Sequence, residues 1–209
     1  MLLNPSEHSK HPWKVHKLLP DLRIEDVWQL PVVMESNHSL ALLQEQFAKA
    51  SSSLTKKGVA GLLFRIRFFI GNLMGWDKKE VVAKLIPGSI RERYAQAEGL
   101  TFEALPEPGN ADFTPVYNLE HESLVEIENA TVLAAIHLGR VPLNETQFTV
   151  QMTIYVKPKG VFGNVYMMLI KPFRHWIVYP ALLKMIAKLW KDYLKSSEGS
   201  NTFSHRMSI

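Results

Sequence analysis

The amino-acid sequence predicts an α+β protein in which an antiparallel sheet is covered by a long C-terminal helix. Three observations predict this class. The elements follow the order strand, two helices, several strands and one final helix. Residues 146–158 alternate apolar and polar side chains, the period of a strand with one covered face. Residues 182–195 repeat apolar side chains at helical spacing, and helices segregated from an antiparallel sheet define the α+β class.

The first half of the chain contains one predicted strand followed by helices. The strand covers residues 24–34, where Pro31 indicates an edge strand or a strand end, since proline cannot donate to a sheet. Two helices follow, over residues 39–50 and residues 58–73. After a Pro-Gly turn, Ser89 has the position and side chain of an N-cap for a third, short helix.

The second half is predicted to form an antiparallel sheet. Strands are expected at residues 116–119, 124–127, 131–138 and 146–158, and a hairpin at Asn144-Glu145. The last strand should have one covered face and one largely hydrated face. The covered face carries Phe148, Val150, Met152, Ile154 and Val156, and the hydrated face carries Thr149, Gln151, Thr153, Tyr155 and Lys157.

The final helix is strongly amphipathic. On a helical wheel its lysines form one narrow stripe and its apolar residues fill the opposite arc. Pro172 and Pro180 should break or kink its first part. The residues from Gly160 to Gly163 have too few glycines for a phosphate loop and are expected to form a turn. The lysine stripe consists of Lys184, Lys188, Lys191 and Lys195.

Length and composition indicate one cytoplasmic domain. The chain has 209 residues, of which 46% are hydrophobic and 21% charged, within the usual range of a globular protein. Residues 13–195 are predicted to form the domain, between a flexible N-terminus (1–12) and a flexible tail (196–209).

With no cysteine, the chain has no disulfide and no thiolate zinc site. The net charge of +4 is mild, and no recognition motif suggests nucleic acid. The long apolar stretches carry too many charges to span a membrane.

Four short motifs resemble an uncharacterised bacterial family of the START-like, or pollen-allergen-like, superfamily (SRPBCC). The last of them is the most specific. The resemblance implies a helix-grip fold, in which a curved sheet is wrapped around the C-terminal helix with an apolar cavity between them. It implies no established reaction, since fold does not settle function. The motifs are Pro87 to Arg91, Glu126 to Val132, Tyr155 to Gly160 and Tyr166 to Pro180.

Three residues are candidates for catalysis. His137 lies mid-strand among apolar residues, so it is either a general base or a satisfied histidine of the sheet. Glu126 shares a strand face with Glu128 and is either part of an acid–base pair or solvated. Arg174 either holds a ligand carboxylate at the cavity mouth or fixes the helix to the sheet by pairing with Glu126 or Glu120.

The predicted ligand cavity has inner strand faces as one wall and helices as the other. No cofactor and no metal are predicted for it. The histidines at positions 8, 11 and 16 could ligate a metal, but a disordered or solvated segment is the preferred interpretation. The lining residues are Trp28, Phe69, Ala134, Ile136, Phe148, Val150, Met152, Ile154, Tyr166, Phe173 and Trp176.

Three functions are compatible with these features. The first is binding of a small apolar or amphipathic ligand in the cavity. The second is a cyclase- or hydratase-like enzyme that uses His137 in the same cavity. The third is an interaction module whose lysine stripe contacts an anionic membrane or an acidic partner.

Overall fold

The computed structural model describes residues 1–53, 88–107, 114–128 and 132–206, and the second predicted helix (58–73) lies outside them. Six α-helices are numbered in chain order within these ranges. They are α1 (Pro5–Ser9), α2 (Val15–Leu18), α3 (Leu40–Ser53), α4 (Ile90–Glu98), α5 (Gly160–Phe173) and α6 (Tyr179–Arg206). The strands are β1 (Leu2–Leu3), β2 (Arg23–Gln29), β3 (Met34–Glu35), β4 (Thr114–Asn118), β5 (Glu122–Glu128), β6 (Val132–Pro142) and β7 (Gln147–Pro158).

The strands form one antiparallel sheet of seven strands in the described part of the chain. Its order is β1-β2-β7-β6-β5-β4, and the short β3 pairs with β7 beyond the end of β2. The predicted strand at 24–34 is therefore two strands, with Pro31 after the end of β2, as one of the two interpretations of that proline proposed. The predicted α+β class, with an antiparallel sheet and a long C-terminal helix, is confirmed.

Local signals in the sequence are confirmed where they concern caps and hairpins. The Ser89 side chain accepts a hydrogen bond from the Glu92 amide and opens α4. The Ser39 hydroxyl accepts one from the Leu42 amide at 3.1 Å, at the start of α3. Asn144 lies in the hairpin between β6 and β7, where its side chain accepts from the Gln147 amide. Each contact satisfies a backbone donor that a helix start or a turn would otherwise leave unpaired.

Both faces of the sheet are covered, which corrects the prediction of a hydrated face on the last strand. Gln151 is 3% exposed, Thr153 0% and Tyr155 3%. The chain before β2 folds across this side, which we call the N-terminal face, together with α4. The opposite side, the long-helix face, lies against α3, α5 and α6. The alternation of β7 was correct, but polar side chains on the N-terminal face are buried and hydrogen-bonded instead of hydrated.

The first residues of the chain form part of the sheet and its cover. Leu2 pairs with Trp28, and Asn4 caps α1 by accepting from the Ser6 amide. His8 is 0% exposed, so the interpretation of this histidine as solvated is wrong. The predicted domain boundary at residue 13 stays a prediction, although packing against the sheet begins well before it.

The C-terminal helical run changes its geometry between the two prolines. Pro172 lies in the last turn of α5, a π-helical segment (Arg174–Val178) follows, and Pro180 is the second residue of α6. The predicted break or kink in the first part of this helix therefore occurs as a π-helical segment between the two prolines. Gly160 has a φ of +66° at the start of α5, and the residues from Gly160 to Gly163 all belong to this helix, so the prediction of a turn there is wrong. None of the described helices is long and apolar enough to cross a membrane.

Candidate functional site

The long-helix face brings most of the predicted cavity residues together. Trp28, Val150, Met152 and Ile154 are buried and pack in one cluster with the side chains of α6 that face the sheet. Ala134, Ile136 and Phe148 pack against the same cluster while remaining partly exposed. The α6 residues of this cluster include Tyr179, Ile186 and Trp190. The predicted wall of strand residues is therefore a continuous apolar surface beneath the C-terminal helix.

The helix covers this face unevenly. On β7 every side chain from Val150 to Val156 that faces the helix is buried. On β6 and β5, the corresponding side chains between buried Val132 and buried Arg140 are only half-buried, although these strands are not at the sheet edge. Register pairs them across the strands, Ile136 with Val125 and Ala134 with Ile127. We call this surface the open strip; it consists of Val125, Ile127, Ala134, Ile136 and Leu138.

Polar groups border the open strip at one end. Gln44 of α3 donates from its side-chain amide to the Ser123 hydroxyl at 3.0 Å. Arg140 follows Leu138 on the same face of β6, and its guanidinium lies 4.2 Å from the centre of the Phe148 ring. A separate surface depression of about 300 Å³ is lined by Glu35 to Asn37 and by Thr146 and Gln147. Its lining residues are polar in type and lie at the β3 end of the sheet, so it is not the predicted cavity.

Not every predicted cavity residue lies on this wall. Trp176 is 80% exposed, which corrects its assignment to the cavity. The reason is the π-helical segment, whose wider turn directs Arg174, His175 and Tyr179 to the sheet and leaves Trp176 outside. Phe173 is half-buried. Phe69 lies outside the described residues, as does the side chain of Tyr166.

The π-helical segment anchors the C-terminal run to β2 through two acidic residues. Arg174 pairs with Glu25 at 2.9 Å and lies 3.6 Å from Asp26. The imidazole Nε2 of His175 is 2.6 Å from Asp26, whose carboxylate also accepts from the Tyr179 hydroxyl at 3.1 Å. Burial, together with Asp26, raises the pKa of Tyr179 above its usual range, so this phenol stays a donor.

These contacts decide between the two interpretations of Arg174. The arginine fixes the helix to the sheet, and the predicted partners Glu126 and Glu120 were wrong. A β-bulge between Ile24 and Asp26 allows Glu25 and Asp26 to face the same helix. The sequence does contain a signal for these ion pairs, since Glu25 and Asp26 are adjacent acidic residues in an apolar strand. Strict alternation of side chains along the strand, however, would have assigned the two to opposite faces of the sheet.

His137 is buried as predicted, but on the N-terminal face, opposite the strip that Ile136 occupies. It is 0% exposed, its Nε2 lies 3.0 Å from Glu122, and its ring centre is 5.1 Å from that of His8. Burial lowers its pKa. Since a carboxylate can only accept, Nε2 carries the proton of the neutral ring. Because the sheet lies between His137 and the open strip, the two cannot line the same cavity.

Glu126 also lies on the N-terminal face and is buried at 6% exposure, so its interpretation as solvated is wrong. It accepts a hydrogen bond from the Ile90 amide at 2.7 Å, at the first turn of α4. Burial raises the pKa of this carboxyl. Glu128 shares the face, as expected, but is exposed and pairs with Lys159 at 2.6 Å. Glu126 is thus an anchor for the N-terminus of a helix.

The three N-terminal histidines do not form a metal site. His8 is bonded to Gln151 and Tyr155, and His16 accepts or donates weakly at the same tyrosine, 3.4 Å away. Among the described residues no group of three or more potential ligands is arranged to hold a metal ion. His8 and His16 join the N-terminal segment to the sheet.

Taken together, the fold and the site define a protein with an antiparallel sheet, a C-terminal helix and an accessible apolar strip between them. The chain belongs to the family described as "Protein of unknown function (DUF2867)", which matches residues 18–181. That range includes the sheet from β2 onward, the open strip, and Asp26 with its partners Arg174, His175 and Tyr179, which we call the Asp26 cluster. No curated protein matches the chain, and no solved structure does.

Proposed function

We propose that the protein binds a small apolar or amphipathic ligand on the open strip, between the sheet and the C-terminal helix. The observation that carries this proposal is the partial exposure of Ile136 and its neighbours in the interior of the sheet. Apolar side chains there are normally covered completely, as those of β7 from Val150 to Val156 on the same face are. A contiguous accessible apolar surface is typical of ligand and interaction sites.

The chemistry of the surface favours recognition by shape and area. Burial of apolar surface contributes about 25 cal/mol per Å² before the costs of ordering the ligand. Met152 and Met167 lie in the adjoining cluster, and methionine adapts to varied ligand shapes. Affinity should therefore rise with the size of the apolar ligand and depend weakly on salt.

Filling the strip tests this proposal. We expect Ala134→Phe to displace an apolar fluorescent probe and weaken its binding at least tenfold. Leu143→Phe, at a 49% exposed position in the hairpin, is the matched control and should leave binding unchanged. Native mass spectrometry of the purified protein would show whether a small molecule co-purifies. Unchanged probe affinity in a folded Ala134→Phe protein would overturn the proposal.

The enzyme alternative does not gain support from this geometry. It required His137 to act in the same cavity, and His137 faces the other side of the sheet. A ligand on the open strip has no route to its imidazole except through the sheet. His137→Gln should therefore leave ligand affinity unaltered where the protein folds.

A second candidate function, contact with an anionic membrane surface, is favoured by the outer side of the C-terminal helical run. Met168 and Leu169 are each 68% exposed, and Val161 and Trp176 each 80%. Met167 of α5 and Ile186 of α6 are buried in the same cluster, so the opposite sides of both helices face away from the sheet. We call the exposed set the outer apolar patch; it consists of Val161, Val165, Met168, Leu169, Trp176 and Ile177.

The lysine stripe adds exposed positive charge to the same helical run. Its four lysines are exposed and have no ion pair within the described ranges, and the acidic side chain of Asp192 is exposed as well. Exposed apolar residues that include tryptophan, together with a basic stripe on the same helical run, have the composition of an interfacial helix on anionic lipid.

Vesicle flotation distinguishes this candidate from self-association. Wild-type protein should float with vesicles that contain phosphatidylserine and not with phosphatidylcholine alone. Leu169→Ser should reduce flotation several-fold, while Leu143→Ser, outside the patch, should not. Flotation independent of lipid charge, or a patch-dependent dimer by sedimentation without any flotation, would reject the membrane function.

A further inference from the structure

Arg140 lies at the end of the open strip and has no anionic partner among the described residues. It is 7% exposed, and its Nε is buried without a hydrogen bond. In the described part of the chain no carboxylate lies within ion-pair distance of its guanidinium. Its Nη2 reaches only the backbone carbonyl of Glu35, at 3.5 Å. The guanidinium also lies over the face of the Phe148 ring.

Such an arginine is unusual on physical grounds. A guanidinium keeps its charge under all ordinary conditions, and removing it from water is costly unless an anion and hydrogen bonds replace the lost hydration. Arg174, whose side chain is 14% exposed, has such an anionic partner in Glu25 at 2.9 Å, although its Nε is also buried without a hydrogen bond. Arg140 has a cation–π contact and one long hydrogen bond in place of such a partner, so its demand for an anion is unmet.

The position of Arg140 relates this demand to the open strip. Register places Arg140 opposite Val150, which is on the long-helix face, and Leu138, Ile136 and Ala134 follow on the same face. From Arg140 to Ala134 the strand spans about 20 Å, at about 3.3 Å per residue. A long acyl chain has comparable length. One end of the strip is therefore cationic, and the rest is apolar.

We infer that the ligand of the open strip is an amphipathic carboxylate, with its head group on Arg140 and its chain along Leu138, Ile136 and Ala134. This inference rests on the proposed function and adds the class of ligand to it. The planar fork of the guanidinium suits a carboxylate held by two parallel hydrogen bonds. The chain contributes affinity, and the head group determines orientation.

The experiment compares dodecanoate with dodecanol, which has the same chain without the charge. Wild-type protein should bind dodecanoate about ten- to hundredfold more tightly, the range of a charged hydrogen bond. Arg140→Gln should abolish this preference and leave the affinity for dodecanol unchanged. Arg140→Lys, which keeps the charge but loses the fork, should retain part of the preference.

The outcomes separate the inference from the proposed function. If wild-type protein binds both molecules equally, and Ala134→Phe weakens both, the strip binds ligands but the role of Arg140 is wrong. If neither molecule binds, the proposed function fails. Because the comparison of the two ligands uses wild-type protein, the inference stays testable even where Arg140→Gln does not fold.

Discussion

His8 joins the first turn of the chain to the middle of the sheet through Tyr155, whose hydroxyl lies 2.7 Å from the histidine Nε2. On the other side of the ring, Nδ1 is 2.8 Å from the side-chain oxygen of Gln151. Since that oxygen accepts, Nδ1 carries the proton and Nε2 accepts from the tyrosine. The neutral imidazole therefore fits this site between two strand residues.

We expect this histidine to make stability depend on pH. Burial, with His137 nearby, lowers the pKa of His8 from 6.5 to about 3. Below pH 6.5, His8 becomes protonated in the unfolded chain but stays neutral in the folded protein. The free energy of unfolding therefore decreases as the pH falls, by up to about 1.4 kcal/mol per pH unit. Above pH 6.5 the contribution is complete.

Urea unfolding at pH 7.5 and pH 5 measures this effect. His8→Gln should be less stable than wild type at pH 7.5, and the difference should narrow at pH 5. Comparing the two proteins cancels the opposite contribution of Glu126, whose raised pKa favours the folded state as the pH falls. His121→Gln, at a 61% exposed side chain, should leave the pH dependence unaltered. An equal difference at both pH values would contradict the prediction.

Gly139 is required by the close approach of Trp13 to β6. A Cβ at this position would lie 2.7 Å from Cζ2 of the indole and 2.8 Å from Cη2. Gly139→Ala should therefore destabilise the protein by about 1–3 kcal/mol through overpacking. A double-mutant cycle in thermal or urea unfolding checks the cause. In a Trp13→Ala background the same substitution should cost little, and additive costs would show that the indole is not responsible.

Asp26 should be essential for attaching the C-terminal run. It is 3% exposed, and its carboxylate contacts the side chains of His175, Tyr179 and Arg174. Asp26→Ala removes the carboxylate partner of His175 and Tyr179 and leaves Arg174 with Glu25 alone, so we expect a loss of about 3 kcal/mol in the free energy of unfolding. Glu120→Ala, with an 80% exposed side chain, is the control and should have little effect. Near-equal stability of the two variants would show that the cluster does not hold the run.

Trp190 is expected to fix α6 by one specific hydrogen bond. Its Nε1 donates to the carbonyl of Val33 at 2.8 Å, just before β3. Trp190→Phe removes the donor and leaves a buried ring, so unfolding should require about 1 kcal/mol less, and more if the ring repacks poorly. Trp176→Phe offers the matched change at an exposed site. Equal effects of the two substitutions would argue against a role for this bond.

The site shows where prediction from the sequence succeeded and where it stopped. Alternation in β7 correctly gathered Val150, Met152 and Ile154 on one face. The same alternation led to the wrong prediction that the other face is hydrated. A period of two shows which face of a strand is polar, but it does not show whether another segment packs on that face. Thr153 and Gln151 are buried because the N-terminal segment, more than a hundred residues earlier, packs onto them. Such a long-range contact leaves no local signal.

The order of elements, the helix caps and the apolar face of the last strand follow from the sequence alone, because spacing and side-chain chemistry act over a few residues. Only the tertiary structure decided that His137 and Ile136 lie on opposite faces of a sheet covered on both sides, which separates the buried histidine from the strip. It also decided that Arg174 pairs with Glu25 and that Arg140 pairs with no carboxylate in the described chain. Those outcomes depend on strand register, a bulge and a π-helical segment, and these are set by packing between distant segments.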